Sequence, residues 1–148
     1  MKFISRSEKE TIKIAKNFAG NLRGGEVICL IGELGTGKTV FAKGLAQGLG
    51  IKKLIRSPSF VLMKIYPISN NQYSISKFCH IDAFRLKTPQ ELIEIGVLEY
   101  FSQLKTISLI EWADKVKKIL PKKRTEIKIK FERKENERKI IIQNYPKS

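Results

Sequence analysis

Residues 27–39 read Val27-Ile28-Cys29-Leu30-Ile31-Gly32-Glu33-Leu34-Gly35-Thr36-Gly37-Lys38-Thr39, and their order decides the architecture. Val27 to Ile31 is short, continuously apolar and β-branched, the pattern of a strand covered on both faces. The eight residues after it fit G-x-x-x-x-G-K-[ST] at every fixed position. Phe41, Leu45 and Leu49 then share one face of a helix over 40–49, and Gly50 stops it. Strand, glycine loop and helix together predict a phosphate cradle. Glycines let successive N–H groups turn inward, and the helix adds its positive end. The expected binding set is Gly35, Thr36, Gly37, Lys38, Thr39 and Val40. Lys38 is expected to reach the β and γ oxygens of a nucleotide, and Thr39 offers magnesium a hydroxyl.

Outward from this core, Ser7 and Glu10 form a capping-box pattern before Ile12, Ala15, Phe18, Ala19 and Leu22, which predicts a helix over 8–22. Arg23, Gly24 and Gly25 end it. Phe60 to Tyr66 and Phe78 to Asp82 read as strands paired in a hairpin across a polar turn at Asn70 and Asn71. Thr88, Pro89 and Glu91 open a short helix closed by Gly96. A further strand runs from Ile107 to Ile110 into Glu111 and Trp112. Alternation over 126–131 and the run Ile140 to Ile142, joined near Asn136, predict a second hairpin. With no internal repeat, residues 1–148 are expected to form a single α/β domain of the P-loop NTPase type. The expected form is a mixed central sheet, helices on its faces and a C-terminal antiparallel hairpin.

Magnesium at such a loop needs a second anchor, an acid at the end of a neighbouring strand. Asp82 and Glu111 both qualify. His80 is a weaker candidate for a base. Cys29 and Cys79 lie in separate apolar runs, so two reduced, buried thiols are expected rather than a disulfide or zinc site. No apolar run approaches the roughly 20 residues of a membrane span, and the first ten residues lack a secretory pattern, so a cytoplasmic protein with no membrane partner is expected. The formal charge of +15 is concentrated at the end, where 115–148 holds 13 Lys or Arg against 4 Glu. That excess could meet an acidic partner or RNA through the basic C-terminal region. The 22 Lys, 7 Arg and 21 Ile also fit an AT-rich coding bias that spreads lysine over any exposed surface.

Taken in order, Gly32 to Thr39, Ser57-Pro58-Ser59-Phe60, His80-Ile81-Asp82-Ala83-Phe84-Arg85-Leu86, Pro89-Gln90-Glu91-Leu92 with Gly96, and Ile110-Glu111-Trp112 resemble the bacterial TsaE family. These motifs cover roughly residues 8–142. Thr36, Ser59 and Phe84 are mild departures, since members commonly carry Ala or Ser, Thr, and Tyr there. The resemblance implies an ATPase that assists TsaB and TsaD in placing a threonylcarbamoyl group on the adenosine beside the tRNA anticodon. It further implies phosphate contact by Lys38, magnesium held by Thr39 and Glu111, and Asp82 close to the γ-phosphate. Lys38, Asp82 and Glu111 are the expected catalytic residues, and Ser57 and Ser59 mark a switch facing the partners. Glu8, Thr11 and Arg138 are looser candidates near the base.

Rival classes have weaker support. Asp82 and Arg85 suit a small-molecule kinase, but no arginine-rich lid follows. A GTPase lacks its N-K-x-D and D-x-x-G motifs, and an RNA-binding hairpin lacks interleaved aromatics.

Overall fold

A computed structural model of the chain describes residues 1–53, 55–58, 62–69 and 74–147. The elements run β1 (Lys2–Ser5), α1 (Glu8–Ala19), β2 (Val27–Ile31), α2 (Lys38–Gly48), β3 (Met63–Pro67), β4 (Lys77–Asp82), α3 (Gln90–Glu94), α4 (Val97–Phe101) and β5 (Thr106–Glu111). A 3-10 segment, Ala113–Ile119, leads to β6 (Arg124–Phe131) and β7 (Arg138–Tyr145). One seven-stranded sheet has the order β1-β7-β6-β2-β5-β4-β3. β2 lies between β5 and β6, parallel to both. The two expected hairpins form as antiparallel pairs, β3 with β4 and β6 with β7. The sheet is therefore mixed, as the pattern of apolar runs predicts.

The apolar sequence of β2 follows from its cover on both faces. Ile28 and Leu30 point to α1 and α2, where Ala15, Ala19, Phe41 and Leu45 are buried. Val27 and Cys29 point the other way, into a cluster with Cys79, Ile81, Leu92, Val97 and Val116. α1 and α2 approach closely because α2 presents glycines at the crossing. A Cβ on Gly44 would lie 2.7 Å from the Ile12 carbonyl oxygen, and one on Gly48 would lie 2.6 Å from Ala19 Cβ. Ser7 caps α1, accepting from Glu10 N at 3.1 Å, while Glu10 Oε2 accepts from Arg6 N at 2.7 Å.

Several boundaries differ from expectation. α1 ends at Ala19, capped by Gly20, so Leu22 joins the core from a turn. α2 starts two residues early because Lys38 and Thr39 already lie on its first turn. The segment expected as one helix before Gly96 is α3, capped at Pro89 with no side-chain bond from Thr88, and α4 follows directly. β1 has no counterpart in the sequence reading. It adds an edge beside β7, pairing Lys2 with Ile141. Phe60, Asn70, Asn71 and Ser59 lie outside the described residues, and β3 is described from Met63. No helix among the described residues is long and apolar enough to cross a membrane.

Candidate functional site

The carboxyl ends of β2, β4 and β5 meet at one edge of the sheet, the crevice where open α/β sheets bind ligands. Register fixes this: Leu30 pairs with Glu111, and Glu111 with Asp82. The loop Gly32 to Gly37 leaves β2 and returns the chain into α2. Gly32 is needed for its lack of side chain, since a Cβ there would lie 2.6 Å from the Ile129 carbonyl oxygen. Gly37 adopts φ +106, a conformation L side chains rarely take, and caps α2 without a side-chain bond. The first N–H groups of α2 are thus left to an anion. Thr36 braces the loop, its hydroxyl donating to the Glu33 carbonyl at 2.8 Å.

Lys38 lies under this loop. Its Nζ donates to the carbonyls of Gly32 at 2.7 Å and Glu33 at 2.9 Å and stands 3.9 Å from the centroid of the Trp112 ring. Burial lowers its pKa from the ordinary value, against the pull of Glu111, Asp114 and Asp82. Thr39 donates its hydroxyl to Glu111 Oε1 at 3.0 Å. Spending the proton on the carboxylate leaves the hydroxyl lone pairs for a cation. Glu111 is 2 % exposed, and its other oxygen accepts from His80 Nε2 at 2.6 Å. Asp82 is occupied differently: Oδ1 accepts from Phe84 N at 2.9 Å, and Oδ2 takes a short bond from the Ser57 hydroxyl.

A cavity of about 400 Å³ joins these groups, lined by Lys38, Thr39, Ser57, Asp82, Glu111 and Trp112 among others. Gly35, Gly37 and Val40 also line it, as does Glu8 from the start of α1. Thr36 does not; its side chain faces the loop. Thr11 is buried and hydrogen-bonded to the Ser5 hydroxyl at 2.7 Å, which leaves it away from this cavity. Arg138 reaches the loop from β7, its Nη2 donating to the Gly35 carbonyl at 3.4 Å and its guanidinium over Phe131. His80 is fully buried behind Glu111, outside the cavity lining. A slightly larger hollow, about 460 Å³, opens on the far side of the loop between Trp112, Lys128 and Phe131. It holds neither Thr39 nor Glu111, so the side chains suited to phosphate and cation binding gather at the smaller cavity.

The donors suit magnesium. Thr39 and Glu111 supply oxygen only, and magnesium is commonly held by one or two such groups together with substrate phosphates and water. Among the described residues no three His, Cys, Asp or Glu side chains cluster into an all-protein metal cage. Trp112 packs at the site. Its backbone is left-handed at φ +60, and its ring packs on both Lys38 and Phe84.

The chain is similar to known proteins. The family model described as "Threonylcarbamoyl adenosine biosynthesis protein TsaE" matches residues 5–140. The tRNA threonylcarbamoyladenosine biosynthesis protein TsaE of Bacillus subtilis is 36% identical over 130 residues, covering 88% of this chain and 77% of that protein. Its namesake in Borreliella burgdorferi is 38% identical over 119 residues, covering 80% and 82%. The crystal structure of Bacillus subtilis YdiB superposes with a TM-score of 0.76 at 34% identity, covering 98% of this chain and 84% of that one. A mixed α/β sheet with its glycine loop on the central strand, matched by a family model over nearly its whole length, places this chain in the TsaE family of threonylcarbamoyl adenosine biosynthesis proteins.

Proposed function

We propose that the chain is a cytoplasmic, magnesium-dependent ATPase, slow alone, that serves tRNA threonylcarbamoyladenosine formation by acting on a complex of TsaB and TsaD. The observation that carries the ATPase reading is the Thr39 to Glu111 bond of 3.0 Å at the head of α2, in the cavity that also holds Lys38. The triphosphate lies along Gly35 to Val40, and Lys38 exchanges the Gly32 and Glu33 carbonyls for β and γ oxygens. Thr39 and Glu111 would hold magnesium, which when bound would neutralise charge on the phosphate oxygens. Water attacks the γ-phosphorus in line, the bond to the β–γ bridging oxygen breaks, and ADP and phosphate leave. Lys38 and the free N–H groups of α2 stabilise the charge that spreads over the transferring group. Asp82 holds Ser57 beside the γ-phosphate, so the segment around Ser57 senses the nucleotide and faces the partners. The involvement of TsaB and TsaD is supported by the family membership, and contact with tRNA through the basic C-terminal strands by charge alone.

The test is ATP hydrolysis by the chain alone and with TsaB, TsaD and tRNA, with modified nucleosides measured in the same tRNA. Partner-stimulated turnover with product formed is expected. Thr39→Ala and Glu111→Gln should keep the fold and lose magnesium-dependent turnover by at least tenfold. Normal hydrolysis by both variants refutes the metal assignment, and ATP binding indifferent to the partners refutes their role.

A further inference from the structure

We infer that His80 is a positioning residue for the cation site: its imidazole holds the Glu111 carboxylate in the orientation that meets Thr39. The inference rests on the proposal that Glu111 serves magnesium. Glu111 is nearly sealed from water, so each oxygen needs a partner. One accepts from Thr39 at 3.0 Å and the other from His80 Nε2 at 2.6 Å. Because an ionised carboxylate only accepts, Nε2 carries the hydrogen.

His80 is itself well fixed. It lies two residues before Asp82 on β4 and so shares its face of the sheet, in register with Leu109 on β5. Its ring stacks on Phe78 with centroids 5.8 Å apart and planes 23° apart. Fully buried, it leaves Nδ1 without a hydrogen-bond partner among the described residues. An unpaired buried acceptor is a penalty that leucine would not carry at this site. The side chain is therefore poorly chosen for packing and well chosen for its single bond to Glu111. Groups behind a metal ligand commonly set its orientation, and their loss typically weakens metal affinity by 10 to 100 times.

The test is manganese binding in the presence of ADP, followed by the electron paramagnetic resonance of free manganese. Wild type is compared with His80→Gln, His80→Leu, His80→Asn and Glu111→Gln. The glutamine amide keeps an N–H near the place of Nε2, whereas leucine has none and asparagine is one atom short. Wild type and His80→Gln should bind alike, and His80→Leu and His80→Asn about tenfold or more weakly. Binding of a fluorescent ADP in EDTA should be unchanged in all three His80 variants. Full manganese affinity in His80→Leu overturns the inference. Loss of metal-free ADP binding by both His80→Leu and His80→Asn also overturns it, showing a role in the fold alone. Should His80→Leu fail to fold, His80→Asn decides. Unchanged manganese affinity in Glu111→Gln would instead overturn the underlying assignment of Glu111.

Discussion

The crossing of α1 and α2 allows a stability prediction opposite in sign to helix propensity. Exchanging Gly44 for alanine, in the interior of α2, should add about 1 kcal/mol on propensity alone. The new Cβ would stand 2.7 Å from the Ile12 carbonyl oxygen, 2.9 Å from Ile12 Cα and 2.8 Å from Ala15 Cβ. Ordinary contact begins near 3.4 Å, and two of the three obstacles are backbone, so the helices themselves must separate. Overpacking typically costs 1–3 kcal/mol, and because parting the helices also loosens Ala15, Ala19 and Leu45, the cost here is placed at about 2–3 kcal/mol. We expect Gly44→Ala to be destabilised by about 1–2 kcal/mol net. With a urea slope of about 2 kcal/mol/M, the midpoint falls by about 0.5–1 M, read by circular dichroism. Gly20→Ala is the control, because Gly20 has φ −62 and a Cβ there would meet only the Asn17 carbonyl oxygen at 3.4 Å. Its midpoint should stay put or rise slightly. A Gly44→Ala midpoint at or above wild type would refute the reasoning, because the helix contact would then yield at no cost.

Burial pushes the thiols of Cys29 and Cys79 up to about 12, so neither should react with a maleimide at pH 8 in the folded chain, and both should in urea. Rapid labelling without denaturant would contradict their burial. The lowered pKa of Lys38 means that the folded chain holds that proton less tightly than the unfolded chain, whose value is 10.5. The resulting loss of stability is present at neutrality and fades as pH rises toward 10.5, so wild type should gain on Lys38→Met over that range in urea melts. A constant difference would count against the shift. Trp112 is the single tryptophan and lies 3.9 Å from Lys38 Nζ. ATP should change its emission in wild type and leave Lys38→Met unaltered, since the response requires that ammonium to move.

Local pattern made the centre of this fold legible. β2, its glycine loop and α2 were evident because an apolar run, fixed glycines and a helical face are written in adjacent residues. What stayed hidden depends on partners far along the chain. Lys2–Ser5 is four residues with no turn signal, and it becomes a strand only because β7 offers an edge. Glu111 and Asp82 could be named as strand-end acids. That Glu111 meets Thr39 while Asp82 takes Ser57 follows from the register of β4 on β5, which no local spacing reveals. His80 was legible as a histidine beside a strand acid and a weak candidate base, but its contact with Glu111 across the sheet was not.

The strand order also bears on how the chain is made. The first strand lies beside the last, so Lys2 waits for Ile141 before its pairing is complete. On a ribosome α1, β2 and α2 emerge early, and β5 then covers one side of β2. Its other edge stays bare until β6 arrives, because that strand alone separates it from β7 and β1. Distant pairings of this sort form late, and open strand edges invite other chains. A nascent chain halted near Pro121 would hold Lys38, Asp82 and Glu111 but lack the strand that brings Arg138. Its exposed β2 edge leaves that interval open to aggregation.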